Sequence, residues 1–205
     1  MTELEWLDCK DGDQSAFLMN LGDNRKLQLF YCACCRHAYD LLNDEHRDRI
    51  SQMVNYFLPS RGVVLGEVWE VIRNAIETSE RFADGHTTDA EREKAAQKAD
   101  DIYNQFGDIA ACAPVPGEDP NYDDAAVKMG GDLAGAAYCA AFILPGAAEL
   151  SVRVVANSVA YDNEAYYAGA EGTPEIDPMH PHLLARRAER SAQWKLLQDI
   201  FDSKQ

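Results

Sequence analysis

The 205-residue sequence predicts an all-α fold, a bundle of about seven to nine helices with no substantial sheet. Apolar residues recur at three- and four-residue steps through most of the chain, the spacing of one helix face. Helix-start signals stand immediately before several of those stretches. No run keeps the strict two-residue alternation of a half-buried strand.

The elements follow in order. Thr2 and Glu5 have the capping-box spacing, in which each side chain meets a backbone N–H of the first turn, so a short helix carrying Trp6 and Leu7 is expected. Lys10-Asp11-Gly12-Asp13 reads as a turn, followed by a second short helix with Ala16, Phe17 and Met19 that ends near Gly22. Asp23 or Asn24 caps a third helix, with Leu27, Phe30, Tyr31, Cys34, Ala38, Leu41 and Leu42 inward. Asn43-Asp44 restarts a helix with Ile50, Val54 and Phe57 inward, and Pro59-Ser60-Arg61-Gly62 breaks it.

Val64, Val68, Trp69, Ile72, Ile76 and Phe82 trace the next stripe, which Asp84-Gly85 ends as a glycine cap. Thr88 and Glu91 repeat the capping-box spacing before a charged helix with Ala95, Ala96, Ala99, Ile102, Tyr103 and Phe106, closed by Gly107. Residues 125–141 form an Ala-rich helix in which Gly131 and Gly135, four apart, let a neighbour approach closely. Pro145 starts a helix through Val152, Val155 and Val159. An irregular loop over 169–181 precedes a last helix with Leu183, Leu184, Trp194, Leu197, Ile200 and Phe201.

A single helical domain over 1–205 is expected. The three prolines and the glycine of 113–120 forbid regular structure, so a subdivision would fall there, into 1–112 and 121–205. The 46% apolar and 26% charged residues are the balance of an ordinary globular chain, enough for a sizeable core.

Charge narrows the function classes. The 19 Lys and Arg residues against 35 Asp and Glu give a formal charge of −16, a field that repels phosphate backbones and anionic lipid. Direct nucleic-acid or membrane binding is therefore not expected, and a protein partner, if there is one, is a basic one. The opening residues lack the basic start and apolar run of a secretory signal, so a cytoplasmic location is expected. The Ala-rich stretch 133–144 meets Pro145 before reaching the roughly 20 residues of a membrane span. In that setting the six cysteines, Cys9, Cys32, Cys34, Cys35, Cys112 and Cys139, are expected as free thiols.

The densest chemistry is Tyr31-Cys32-Ala33-Cys34-Cys35-Arg36-His37. Cys34 with His37, and Cys32 with Cys35, lie three apart on a helix face, which suits a redox thiol or a soft metal. Arg36 beside an exposed thiol would favour thiolate. The other reading is that these cysteines pack as small hydrophobes beside Phe30 and Leu41. A tetrahedral zinc site needs a second ligand pair, and the sequence has no partner Cys-x-x-Cys or His-x-x-x-His motif. The imidazoles that would complete such a site across the bundle are His180 and His182, in Asp177-Pro178-Met179-His180-Pro181-His182. The alternative metal set is thus Cys32, Cys34, Cys35, His37, His180 and His182, holding zinc or another soft transition metal.

Glu67, Glu70, Glu77 and Glu80 lack the Glu-x-x-His partners of a di-metal bundle and read as a solvated face. No nucleophile elbow, phosphate-binding loop or dinucleotide glycine fingerprint occurs. The aromatics Tyr31, Trp69, Tyr103 and Trp194 are candidates to line a small-molecule pocket between helices, or plain core. With no catalytic constellation and no cofactor motif, the leading expectation is a non-enzymatic protein-interaction module. Thiol-redox or metal chemistry on Cys32, Cys34, Cys35 and His37 is the alternative.

Three segments also carry a resemblance: Glu5-Trp6-Leu7; 25–36, which contains Leu29-Phe30-Tyr31-Cys32-Ala33-Cys34-Cys35-Arg36; and Glu80-Arg81-Phe82-Ala83-Asp84-Gly85. Together with the ending 192–201 they resemble a family of paralogous bacterial proteins abundant in planctomycetes. That family shows a Glu-Trp-Leu start, a Leu-Phe-x-x-Ala-Cys-Cys-Arg-Arg-like helix and a Glu-Arg-x-Ala-Asp-Gly helix end. Here His37 replaces the second arginine, and Asp202-Ser203-Lys204-Gln205 stands where the family has a Gly-Asn-Pro-Phe-Arg tail. The resemblance implies a helical, cytoplasmic protein and assigns no activity.

Overall fold

A computed structural model describes residues 1–8, 11–57, 65–111, 124–162 and 181–202. Among these residues there are nine helices and no strand: α1 (Glu3–Asp8), α2 (Asp11–Met19), α3 (Asn24–Leu41), α4 (Asp44–Phe57), α5 (Leu65–Ala83), α6 (Asp89–Ala111), α7 (Asp124–Ala141), α8 (Gly146–Asp162) and α9 (Pro181–Asp202). The all-α class is as expected. The Pro-rich segment 113–120, proposed as a boundary, lies outside the described residues, as does Pro59-Ser60-Arg61-Gly62.

Local chemistry sets most helix ends. Both capping boxes form: Glu5 N donates to Thr2 Oγ1 while Thr2 N donates to Glu5, and Thr88 with Glu91 does the same. Asp23 caps α3 by accepting from Lys26 N at 3.0 Å. At α4, Asn43 accepts from His46 N and donates its own N–H to the buried His46 ring, the same reciprocal arrangement with an imidazole as the second acceptor. Gly85 ends α5 at φ +73°, with His86 N returning to the Arg81 carbonyl, a turn only glycine enters without strain. The equivalent turn after α7 is made by Ile143 at φ +57°, with Leu144 N returning to the Cys139 carbonyl.

The expected interruption between the first two helices falls after Asp8, the end of α1, and α2 starts at Asp11, so that Asp11-Gly12-Asp13 lies in its first turn. Gly107 does not close α6, which runs on to Ala111, because a glycine on an exposed helix face costs only about 1 kcal/mol.

The core is layered around α3 and α7. Helix α3 packs against α5, α7, α8 and α9, and α7 packs most extensively against α6 and α8. Ile50 and Val54 of α4, Val68, Ile72 and Ile76 of α5, and Val152 and Val155 of α8 are buried as expected, while Leu41 and Tyr103 are 46% and 43% exposed. The α6–α7 seam is close because of glycine. The Phe106 ring lies on Gly130, where a Cβ would come within 2.3 Å of it, and Tyr103 and Leu150 flank Gly135. No helix among the described residues is long and apolar enough to cross a membrane.

Candidate functional site

Helix α3 presents Cys32, Cys34 and Cys35 to the interior, and all three are free thiols at 0% exposure. Burial pushes each thiol up: Cys32 and Cys34 well above the ordinary range, and Cys35 to about 12. Neighbouring thiols and carboxylates add to the effect, Cys35 and Glu80 around Cys32, and Cys35 and Glu189 around Cys34. Ser151 Oγ of α8 donates to Cys35 Sγ at 3.9 Å and partly offsets the burial there. Reactive thiols are held below their usual pKa in exposed, electropositive surroundings. These three have the opposite environment, that of packing residues.

Arg36 does not serve as a thiol activator. Its guanidinium turns to α5 and makes a two-pronged contact with Glu80, Nε to Oε1 at 3.0 Å and Nη2 to Oε2 at 2.6 Å. In the first turn of α3, Arg25 bonds Asp84 at 2.8 Å and the Ala83 carbonyl at 3.1 Å. The Cys-Arg segment of α3 and the Glu80–Gly85 segment of α5 are therefore joined by two arginine staples, each with planar geometry that lysine could not copy.

His37 points toward α9. Its Nδ1 lies 2.9 Å from Oε2 of Glu189, a carboxylate 1% exposed, while the imidazole is 39% exposed. Glu189 pushes His37 up from its ordinary range, and burial opposes this. Gln193, one turn further along α9, donates to the Ala148 carbonyl of α8 at 2.9 Å and to Glu189 at 3.4 Å. Arg190 donates to the Leu7 carbonyl at 3.2 Å and lies 4.0 Å from Glu149 of α8, which also meets Arg186. Trp6 completes the seam: its Nε1 donates to the Arg190 carbonyl at 3.0 Å, and its ring meets Phe17, Phe30 and Trp194.

Of the predicted metal set, the structure places Cys32, Cys34 and Cys35 in the interior and His37 on Glu189. His180 lies outside the described residues, as do Cys9 and Cys112, and the side chain of His182 is likewise not described. Among the described residues no three His, Cys, Asp or Glu side chains are arranged to hold a metal ion. The four aromatics proposed to line one pocket sit apart. Tyr31 meets Phe30 at a tilt, Trp69 meets Tyr39 edge to face, Trp194 meets Trp6 at a tilt, and Tyr103 lies against Gly135. A shallow groove of about 560 Å³ between α5 and α6 is lined instead by Glu70, Val71, Asn74 and Lys98.

Glu189, Arg190 and Gln193 were not singled out by sequence. Yet Glu189 and Gln193 fall on the same stripe as Leu197 and Ile200, and a charged or amide side chain on an apolar helix stripe is the signal of a buried polar partner.

Asp132 of α7 meets Arg153 of α8 at 2.8 Å, and burial raises it to about 6 despite that contact. A raised acid favours the fold below its unfolded pKa and loses that contribution as pH climbs through the folded value. No protein-family profile, curated protein or solved structure matches the chain.

Proposed function

We propose that the protein is a non-enzymatic helical interaction module whose acidic faces dock a basic protein partner. The observation that carries this reading is the division of charge. Five arginines are held in framework contacts: Arg25 to Asp84, Arg36 to Glu80, Arg92 between the Phe82 and Phe142 rings, Arg153 to Asp132 and Arg186 to Glu149. Meanwhile Glu93, Asp101 and Asp108 of α6, and Asp44, Glu45 and Asp48 of α4, stand exposed. A field of one sign on the surface steers a partner of the other sign and fixes its orientation more than it adds raw affinity. The sealed thiols support the same reading, since the segment richest in chemistry is occupied in holding helices together.

The test is retention of native-lysate proteins on the immobilised chain, with the captured partner identified by mass spectrometry. A basic partner should be held at low salt and released at about 0.5 M, where screening shortens to a few ångströms. Neutralising Glu93, Asp101 and Asp108 together should weaken it by about tenfold or more, the scale of rim-charge effects. Retention indifferent to salt and to both acidic faces would refute the proposal, as would purification with a stoichiometric cofactor.

A further inference from the structure

We propose that His37 and Glu189 form a proton-dependent latch, which holds the first half of α9 against α3 while the imidazole is charged and loosens it when the proton leaves.

The two halves of α9 are held differently. Trp194, Leu197, Ile200 and Phe201 fasten the second half by apolar packing against the core. In 184–193 the buried side chains are Glu189, Arg190 and Gln193, all polar. Docking of that half therefore depends on polar partners remaining matched, and a buried carboxylate that loses its partner is costly.

The charges around the pair are closely balanced. On α3, Asp40 acts on His37 and Cys34 lies near Glu189; on α8, Glu149 faces Arg186 and Arg190 of α9. On α5, Glu77 and Glu80 address Arg36, and on α1 Glu3 accepts from Ser191. With His37 charged, Glu189 has a cation at 2.9 Å. With His37 neutral, the pair becomes a buried carboxylate beside an uncharged ring, left with the Gln193 amide as its donor.

Cys34 does not titrate in this range, because burial holds it well above its ordinary value. The imidazole is 39% exposed, so protons reach it without unfolding. Since the Glu189 contact raises His37, the stabilisation is complete below the unfolded histidine value of about 6.5 and is lost as pH rises through the higher folded value. The latch is closed below the ordinary histidine range and opens as pH rises above it. Opening would uncover Gln193, Arg190 and the Ala148 edge of α8, a surface distinct from the acidic faces of α4 and α6, and it operates whether or not a partner is bound there.

Amide hydrogen exchange on the full chain tests this, with rates corrected for intrinsic pH dependence. Between about pH 6 and about pH 8.5, protection of amides 184–193 should fall about fivefold or more, the low end of ordinary coupling strengths, while α5 stays unchanged. His37→Lys, cationic throughout, should keep those amides protected at both pH values, and Glu189→Gln should remove the dependence. Asp132→Asn, which removes the carboxyl that burial raises to about 6, should leave it intact. A wild-type profile flat in 184–193, or a slope that survives in Glu189→Gln, would overturn the latch.

Discussion

Trp6→Ala should lower the unfolding free energy by about 3–5 kcal/mol, the usual cost of emptying a buried aromatic site. Trp6 belongs to a six-residue helix that has no stability of its own at that length, yet its ring is fully buried. It meets Phe17 of α2, Phe30 of α3 and Trp194 of α9, so three helices lose a shared neighbour at once. The Arg190 carbonyl also loses the indole N–H at 3.0 Å and is left buried with one partner fewer. Trp6→Phe separates the two effects: it restores most of the volume but not the donor, and should cost about 1–2 kcal/mol. Urea unfolding measures both, as a lower midpoint at unchanged slope. A loss under about 1 kcal/mol for Trp6→Ala would mean that α1 is not an anchor of the C-terminal helix.

Gly130→Ala should destabilise by about 2–3 kcal/mol even though alanine is the better helix former. The added methyl would meet Phe106 Cζ at 2.3 Å and Cε1 at 2.6 Å, and Phe106 is itself buried with little room to swing away. Gly107, on the open side of α6, is the internal comparison. A Cβ there meets nothing within 4 Å, so Gly107→Ala should stabilise by about 0.5–1 kcal/mol. In a double-mutant cycle, Phe106→Leu should recover part of the Gly130→Ala loss, because the clash is between those two positions. Equal effects at the two glycines would show that helix propensity, not the α6–α7 seam, governs them.

Much of the fold is legible in the sequence because the forces that specify it act over one helical turn. The capping boxes at Thr2 and Thr88 and the left-handed glycine at Gly85 are local bargains between residues three to five apart, and each forms as read. Gly107 was misread as the end of α6: a single glycine favours a break only weakly, and the packing of the helix on either side outweighs the preference. The burial of Cys34, Phe30 and Ala38 follows from helical spacing.

Where the polar side chains of α3 go does not follow from spacing. Arg36 finds Glu80 at a sequence distance of 44 residues, and Arg25 finds Asp84 at 59. Such pairings depend on which helices become neighbours, a property of the assembled bundle. Within the segments that carry the family resemblance, these contacts join the α3 motif to the α5 motif, and Trp6 joins the first motif to the last helix. They are framework contacts, which is why a motif rich in cysteine, arginine and histidine contains no assembled reactive centre among the described residues.

The most direct test of that claim is the native reactivity of the α3 thiols toward a maleimide at neutral pH, mapped by peptide mass. Cys32, Cys34 and Cys35 should stay unmodified in the folded protein and react only as denaturant opens it, with a rate that follows the unfolding equilibrium. Rapid modification of any of the three in the native chain, or release of a bound metal ion as they react, would contradict it.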